Sequence, residues 1–329
     1  MGIDQILAAV LGFSAALLAG QFVIPYLRSQ RIGQNIRNDG PKSHQSKAGT
    51  PVMGGVIFII AAPVGTLLYC AVTGIKVNAS QVTLLAFPIL YATLGAIDDY
   101  RKVRTGRSLG LRAREKMALQ VLFAALFMFF VSTQGRGSSI IVPFTGAELD
   151  LGIFYGIFVI FVVVGAGNGV NLTDGLDGLA AGTTTISLLG YLYIVKVYES
   201  LPNAPALSTP VLAWIGALLG FLYYNRHPAK VFMGDTGSNA LGALLAAIAI
   251  LTRTELVLVF MAGIPVIEAL SDIAQVFSFQ LFGKRILKMA PLHHHFELLG
   301  IKETAIVRAF WIAQAALALV GIFSMAYTG

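Results

Sequence analysis

The sequence is dominated by apolar segments of roughly 20 residues, the length that crosses a bilayer as an α-helix. Ten such segments recur, and they lack the ten-residue alternation that is typical of transmembrane β-strands. The predicted helices cover residues 3–27, 51–73, 79–97, 116–133, 150–167, 179–198, 208–224, 237–252, 256–276 and 305–327. They predict an all-α integral membrane protein with about ten transmembrane helices, in which residues 1–329 form a single membrane domain.

The composition argues against a soluble enzyme. Of the 329 residues, 56% are hydrophobic and only 12% are charged, whereas soluble domains usually carry about 25% charged residues. Orientation in the membrane explains the net charge of +7, so we expect no nucleic-acid partner. The single cysteine, Cys70, excludes a disulfide framework and a cysteine-based metal site. The first apolar segment lacks a cationic leader and a cleavage site, and we expect it to be a retained span.

The distribution of Lys and Arg predicts the orientation. Of the 23 cations, 19 fall in residues 28–50, 98–116, 225–236 and 281–308. The other four are Lys76, Arg136, Lys196 and Arg253. The positive-inside rule places the first group in the cytoplasm, and an even number of spans then places both termini on the external face.

The conspicuous polar motifs share the predicted cytoplasmic side. They are PKSHQSKAGTPVMGG (41–55), AIDDYRKV (96–103), RAREK (112–116), GNGVNLTDGLDGLAAG (167–182), NRHPAKVFMGDTGS (225–238) and PLHHHFELLG (291–300). Their convergence predicts one composite site on the cytoplasmic face. A transporter, the alternative from another class, needs polar groups near the bilayer midplane. Glu268 and Asp272, one helical turn apart in the ninth predicted span, come closest to that requirement.

Aspartates are the first candidates for chemistry. Asp98 and Asp99 end the third predicted span, where the helix dipole disfavours carboxylates, so they are either neutralised by local salt bridges or lie beside a metal. Asp174 and Asp177 lie in a glycine-rich stretch that forms either an Asx-turn or a ligand-binding turn. Asp235 precedes the eighth predicted span as a helix cap or as a ligand of a charged group.

Amides, lysines and histidines complete the inventory. Asn168 and Asn171 supply amide groups suited to a base or a sugar. Lys47, Lys102 and Lys116 either enforce topology or stabilise anionic groups. Three consecutive histidines are weak zinc ligands without a cysteine or a second histidine cluster. These histidines either lie in a solvated loop or donate hydrogen bonds to phosphate oxygens. They are His293, His294 and His295.

This set of side chains suits phosphoryl transfer. The chain has no P-loop, no dinucleotide fingerprint and no serine–histidine–acid pattern. Carboxylates favour a hard cation such as Mg²⁺, which fills its shell with water and substrate phosphates. Lysine and histidine then stabilise charge on the transferring group. The residues alone predict magnesium-dependent phosphoryl transfer at a membrane surface.

The motifs AIDDYRKV, NGVNLTDGLDGLAAG, NRHPAKVFMGDTGS and PLHHHFE together resemble the polyprenyl-phosphate N-acetylhexosamine-1-phosphate transferases over nearly the full length. The histidine motif is most similar to the members that make lipid I, and a sister transferase using another UDP-N-acetylhexosamine is the alternative. The resemblance implies transfer from UDP-N-acetylmuramoyl-pentapeptide to undecaprenyl phosphate, giving lipid I and UMP. It also implies Mg²⁺, a homodimer and a location in the bacterial cytoplasmic (inner) membrane.

The resemblance carries roles onto matching positions of this sequence. Asp98, Asp99 and Asp235 would be the catalytic aspartates, with Asp235 as the magnesium ligand. Nucleoside binding would fall to Asn171, Asp174, Asp177, Phe232 and Gln275. The phosphates and the sugar would be contacted by Lys47, Lys102, Lys116, Asn168, Asn225, Ser238, His293, His294 and His295.

Overall fold

The computed structural model describes residues 3–30, 47, 49–105 and 110–327 and is built almost entirely of helices. The long helices are α1 (Ile3–Ser29), α2 (Val56–Thr73), α3 (Ala79–Thr105), α4 (Ala113–Thr133), α5 (Tyr155–Thr173), α6 (Leu179–Val197), α7 (Ala204–Asn225), α8 (Gly234–Leu251), α10 (Gly263–Phe282) and α12 (Glu303–Ser324). Two short helices, α9 (Leu258–Met261) and α11 (Leu292–Leu298), flank α10. The described residues thus confirm the all-α class.

Nine helices within the described residues are long and apolar enough to cross a membrane. The ninth predicted span, residues 256–276, is not among them and is divided in the structure. It consists of α9 and α10, which meet at Ala262. Pro265 lies in the first turn of α10, where its missing N–H leaves no intrahelical hydrogen bond unmade.

Several helices extend beyond their predicted ends toward the polar motifs. Helix α3 continues to Thr105, so Asp98 and Asp99 lie inside the helix and the predicted conflict with its C-terminal dipole does not arise. Helix α5 continues to Thr173, beyond its predicted end at residue 167, and therefore includes Asn168 and Asn171. Helix α8 begins at Gly234, so Asp235 lies in its first turn.

Helix α8 is the centre of the bundle. Within its apolar window 89% of the residues are buried, against 22% for α1, whose exposed side chains match a lipid-facing position. A Cβ on Gly95 of α3 would lie 2.1 Å from the carbonyl oxygen of Asp235, so only glycine permits this approach of the two helices. The close packing brings the aspartates of α3 beside the start of α8.

A two-stranded antiparallel hairpin lies at the opposite end of the bundle from these aspartates. It pairs β1 (Ser139–Ile141) with β2 (Glu148–Asp150) and was not predicted. Beside it, buried Arg136 donates to the Ile250 carbonyl oxygen at 2.7 Å and pairs with Glu255 at 2.6 Å. These contacts fix the end of α8 that is remote from Asp235.

Candidate active site

Three carboxylates from two helices form an acid cluster, defined here as Asp98, Asp99 and Asp235. One oxygen atom from each lies within 4.8 Å of the others. Asp98 and Asp99 are buried, and the side chain of Asp235 is 15% exposed. Close carboxylates repel each other unless a cation lies between them, so the cluster requires positive charge.

Two lysines supply part of this charge. Lys102 Nζ lies 2.6 Å from Asp98 Oδ2 and 3.1 Å from Asp235 Oδ2. Lys116, in the first turn of α4, places its Nζ 2.8 Å from the same Asp235 oxygen. Three carboxylates and two ammonium groups leave one formal negative charge when all are ionised. The cluster can therefore accept a further cation through its oxygen atoms.

The three aspartates have different surroundings. Asp99 Oδ1 accepts the backbone N–H of Asp235 at 3.2 Å, and its Oδ2 accepts the backbone N–H and the hydroxyl of Thr236 at 2.9 and 2.8 Å. Asp99 therefore caps the first turn of α8 from a neighbouring helix. Asp98 accepts the N–H of Leu111 at 2.6 Å and contacts one lysine. The carboxylate of Asp235 forms its hydrogen bonds and ion pairs with side chains, namely those of Lys102, Lys116 and Asn171.

Amides of α5 hold Asp235 on its other side. Asn171 donates to Asp235 Oδ1 at 3.0 Å and to the Ser238 hydroxyl at 2.8 Å. Asn168 lies one turn earlier and donates to Gln120 at 3.1 Å, which itself contacts Asn239 of α8. This buried network satisfies polar side chains within the bundle, which is why α5 stays helical through residues that resemble a loop.

A second cluster, called here the lysine cluster, consists of Lys47, Asp177, His227 and Glu303. Lys47 Nζ lies between Asp177 and Glu303 at 2.7 and 2.6 Å. His227 Nδ1 lies 3.0 Å from the other Asp177 oxygen, and Glu303 also accepts the Asp177 backbone N–H at 2.7 Å. The cluster joins the turn before α6, the loop after α7 and the start of α12.

The lysine cluster borders an open cleft of about 620 Å³. Phe232 also lines it, with its ring centroid 5.9 Å from Lys47 Nζ. Asn225 stands behind the cleft, buried, where it accepts the Gly178 N–H at 3.1 Å and donates to the Val231 carbonyl at 2.9 Å. An aromatic face beside charged groups suits a nucleoside, and the roles of Phe232 and Asn225 toward a ligand stay predictions.

Asp174 connects the two clusters electrostatically. Burial raises the pKa of its carboxyl well above the usual range, and the charges of Asp235, Asp99 and Asp177 raise it further. For Lys47, burial lowers the pKa of the ammonium, but hydrogen bonds to Asp177 and Glu303 outweigh burial, so the pKa is raised. Lys47 consequently keeps its charge, and an added cation would favour ionisation of Asp174.

The three histidines lie on the short helix α11 and face different neighbours. His293 is wholly buried beside Glu268, His294 Nδ1 lies 2.7 Å from Glu297, and His295 Nδ1 accepts the Lys288 N–H at 3.1 Å. The side chain of Gln275 binds the backbone of Ile286 and Leu287 at 2.9–3.0 Å. In this conformation Gln275 orders a loop, and its contact with a nucleoside stays a prediction.

The structure thus brings nearly all predicted side chains to one end of the bundle, although residues 41–46 and 48 of the first motif lie outside the described residues. Sequence reasoning missed Glu303 and Gln120, and it noted Glu268 only as a possible midplane group of a transporter. Glu303 follows the histidine motif with no local signal, and Gln120 resembles any polar residue of a helix. His227 was within a quoted motif but was not singled out.

Comparison with known proteins identifies the family of this chain. Residues 81–253, from α3 to the end of α8, match the model of glycosyl transferase family 4. The phospho-N-acetylmuramoyl-pentapeptide-transferase of Caldanaerobacter subterraneus is 46% identical over 97% of this chain and 98% of its own length. Those of Desulfitobacterium hafniense and Bacillus subtilis are each 45% identical, over 97% and 95% of this chain and 96% and 95% of their own lengths. The chain therefore belongs to the phospho-N-acetylmuramoyl-pentapeptide-transferases, within glycosyl transferase family 4.

Proposed function

We propose that this protein transfers phospho-N-acetylmuramoyl-pentapeptide from UDP-N-acetylmuramoyl-pentapeptide to undecaprenyl phosphate, producing lipid I and UMP. The observation that carries the proposal is the acid cluster with its two lysines, in a chain about 45% identical to transferases of that name over nearly its full length. The cleft beside the lysine cluster offers space for the nucleoside next to the reacting groups.

The charges of the site support a divalent cation as cofactor. Donor and acceptor are both phosphate anions, and the acid cluster alone repels them. Its ligand atoms are all carboxylate oxygens, a donor set that suits Mg²⁺. Asp235 would hold the ion, because its carboxylate is the most exposed of the three and contacts only side chains, whereas both oxygens of Asp99 accept hydrogen bonds from α8 and Asp98 Oδ1 accepts the Leu111 N–H. When bound, Mg²⁺ neutralises phosphate charge and polarises the group under attack.

The chemical step is direct attack. An oxygen of the lipid phosphate forms a bond to the β-phosphorus of the donor, and the bond from that phosphorus to the bridging oxygen breaks, releasing UMP. A phosphate monoester loses its second proton near pH 6, so the acceptor needs little help from a base. Asp98 accepts the residual proton, while Lys102 and Lys116 offset the charge that accumulates as two anions meet.

The alternative is a covalent phosphoryl intermediate on an aspartate. Rapid-quench trapping with donor alone separates the two mechanisms. Direct attack predicts no labelled enzyme. A labelled enzyme that is chased to lipid I at a competent rate would reject it.

The placement in the membrane is part of the proposal. The distribution of Lys and Arg orients the acid cluster toward the cytoplasm of the bacterial inner membrane, with ten spans, both termini outside, and residues 1–329 as one membrane domain. Donor then arrives from water and acceptor from the bilayer. Family resemblance supports a homodimer.

The deciding experiment is a reconstitution. Purified protein is incubated with UDP-N-acetylmuramoyl-pentapeptide, undecaprenyl phosphate and Mg²⁺, and UMP release is measured. We expect UMP to be released with this donor and not with UDP-N-acetylglucosamine. Release with UDP-N-acetylglucosamine instead would favour a sister transferase, and no release with either donor would leave a transporter.

A further inference from the structure

Glu268 is a wholly buried carboxylate in α10 that the proposed reaction does not use. It is one of the two acidic residues, with Asp272, in the ninth predicted span. Its Oε1 lies 3.2 Å from Nδ1 of His293 and accepts the backbone N–H of the same residue at 3.3 Å. Its Oε2 is buried without a hydrogen-bond partner. A carboxylate that is buried at this cost indicates a role that a neutral side chain would not fill.

The region around Glu268 fixes the start of α11 against α10. Ser271, nearly one turn further along α10, accepts the Leu292 N–H at 3.0 Å and donates to the Glu268 carbonyl oxygen at 2.7 Å. Two consecutive backbone N–H groups of α11 are therefore held by side chains of α10. The first histidine of the motif consequently has a defined backbone position as well as a defined ring neighbour.

The opposite edge of the His293 ring faces the turn between α5 and α6. A Cβ on Gly175 would lie 2.1 Å from Nε2 of His293, closer than any side chain tolerates. Nε2 is buried and has no hydrogen-bond partner in this state. The ring is therefore inserted between Glu268 and the turn that carries Asp174 and Asp177.

We propose that Glu268 is a positioning residue: it holds the His293 ring against Gly175 and thereby sets the position of the Asp174–Asp177 turn for the donor nucleotide. This inference rests on the proposed function, because it assigns that turn to the donor. It predicts that loss of the carboxylate weakens donor use through His293, while use of the lipid acceptor changes little.

The test is a double-mutant cycle on the full-length protein. Glu268→Gln keeps the size of the side chain and removes its charge, and we expect the KM for the UDP-sugar donor to rise about tenfold with little change in the KM for undecaprenyl phosphate. In a His293→Ala background, the same substitution should have no further effect, because the ring that the carboxylate contacts is gone and the amide oxygen of glutamine still accepts the backbone N–H.

Glu255→Gln is the matched control. Glu255 is also a buried carboxylate, but it pairs with Arg136 at the other end of the bundle. This variant should lower the melting temperature and leave both KM values unchanged. Calorimetric titration with UMP gives a readout that does not depend on turnover, and Glu268→Gln should weaken UMP binding by a similar factor.

The outcomes separate the two proposals. If the wild-type protein releases UMP but Glu268→Gln lowers only the melting temperature, or if its kinetic effect persists in full without His293, the positioning role is wrong and the transferase activity stands. If the wild-type protein neither binds UMP nor releases it from the donor, the proposed function fails, and the role of Glu268 fails with it.

Discussion

Replacement of Asp99 by alanine tests whether this aspartate acts as a cap or as a chemical group. Its carboxylate accepts three hydrogen bonds from the first turn of α8, two from backbone N–H groups and one from the Thr236 hydroxyl. Thr236 is only 2% exposed, so water does not replace the lost acceptor. Asp99→Ala therefore leaves a buried helix end without its hydrogen-bond partners.

The expected loss of stability follows from these three hydrogen bonds. A hydrogen bond to a charged group contributes about 1.5–3 kcal/mol, and loss of a helix cap costs up to about 2 kcal/mol. The three bonds share one acceptor and are not additive, so we expect a loss of about 3 kcal/mol in the free energy of unfolding. At about 2 °C per kcal/mol, the low end for long chains, the melting temperature should fall by roughly 6 °C.

The assay combines thermal unfolding in detergent, followed by the fluorescence of Trp214 and Trp311, with UMP release well below the melting temperature. Because Asp235 lies in the capped turn, a displacement of about 1 Å would lower turnover by about 100-fold. Asp99→Asn should be intermediate in stability, since its amide offers one acceptor and places NH₂ against the other donors. Exposed Glu199→Gln is the control and should match the wild type.

One result would refute the proposal that Asp99 caps α8. If Asp99→Ala abolishes turnover but melts at the wild-type temperature, the carboxylate is not needed to hold α8. It would then act on the metal or the substrate directly.

Three further predictions concern the charged groups. Asp235→Asn should abolish Mg²⁺-dependent turnover and the rise in melting temperature that we expect Mg²⁺ to produce in the wild type; near-normal UMP release in a Mg²⁺ titration would contradict the metal assignment. The raised pKa of Asp174 means that its carboxyl keeps its proton to higher pH in the folded state than in the unfolded one, so the folded protein loses stability as pH rises above about 4. Asp174→Asn should therefore raise the melting temperature in EDTA by an amount that grows as the pH rises above about 4, and a constant difference would count against the shift. Glu303→Gln removes one of the two carboxylates that hold Lys47 and should change the donor KM by about tenfold with an unchanged acceptor KM; equal changes in both would show that the lysine cluster is not specific to the donor.

Local patterns were sufficient to predict much of the fold. Apolar segments of bilayer length located nine long helices among the described residues, and the charge count grouped the polar motifs on one side. The structure places Asp98, Asp235, Lys102 and Lys116 in direct contact, as the grouping predicted. Sequence identifies these residues because charged side chains are costly in membrane helices and therefore conspicuous.

Contacts between residues that are far apart in the sequence could not be predicted in the same way. The cap formed by Asp99 joins positions 137 residues apart, and nothing near either position signals it. The predicted helix ends were wrong for a related reason. The sequence around Asn168 and Asn171 resembles a loop, but in the folded bundle these amides form hydrogen bonds with Gln120 and Ser238 of other helices. Such pairings depend on the packing of the whole bundle.

The contact between Lys47 and Glu303 spans 256 residues, from the segment before α2 to the start of α12. Helix α12 follows the other described helices in the sequence, so this contact forms only after the segments between residues 47 and 303 have been synthesised. A nascent chain that lacks α12 consequently lacks one of the two carboxylates around Lys47. The lysine cluster therefore cannot be complete until the whole segment from Lys47 to Glu303 has been synthesised.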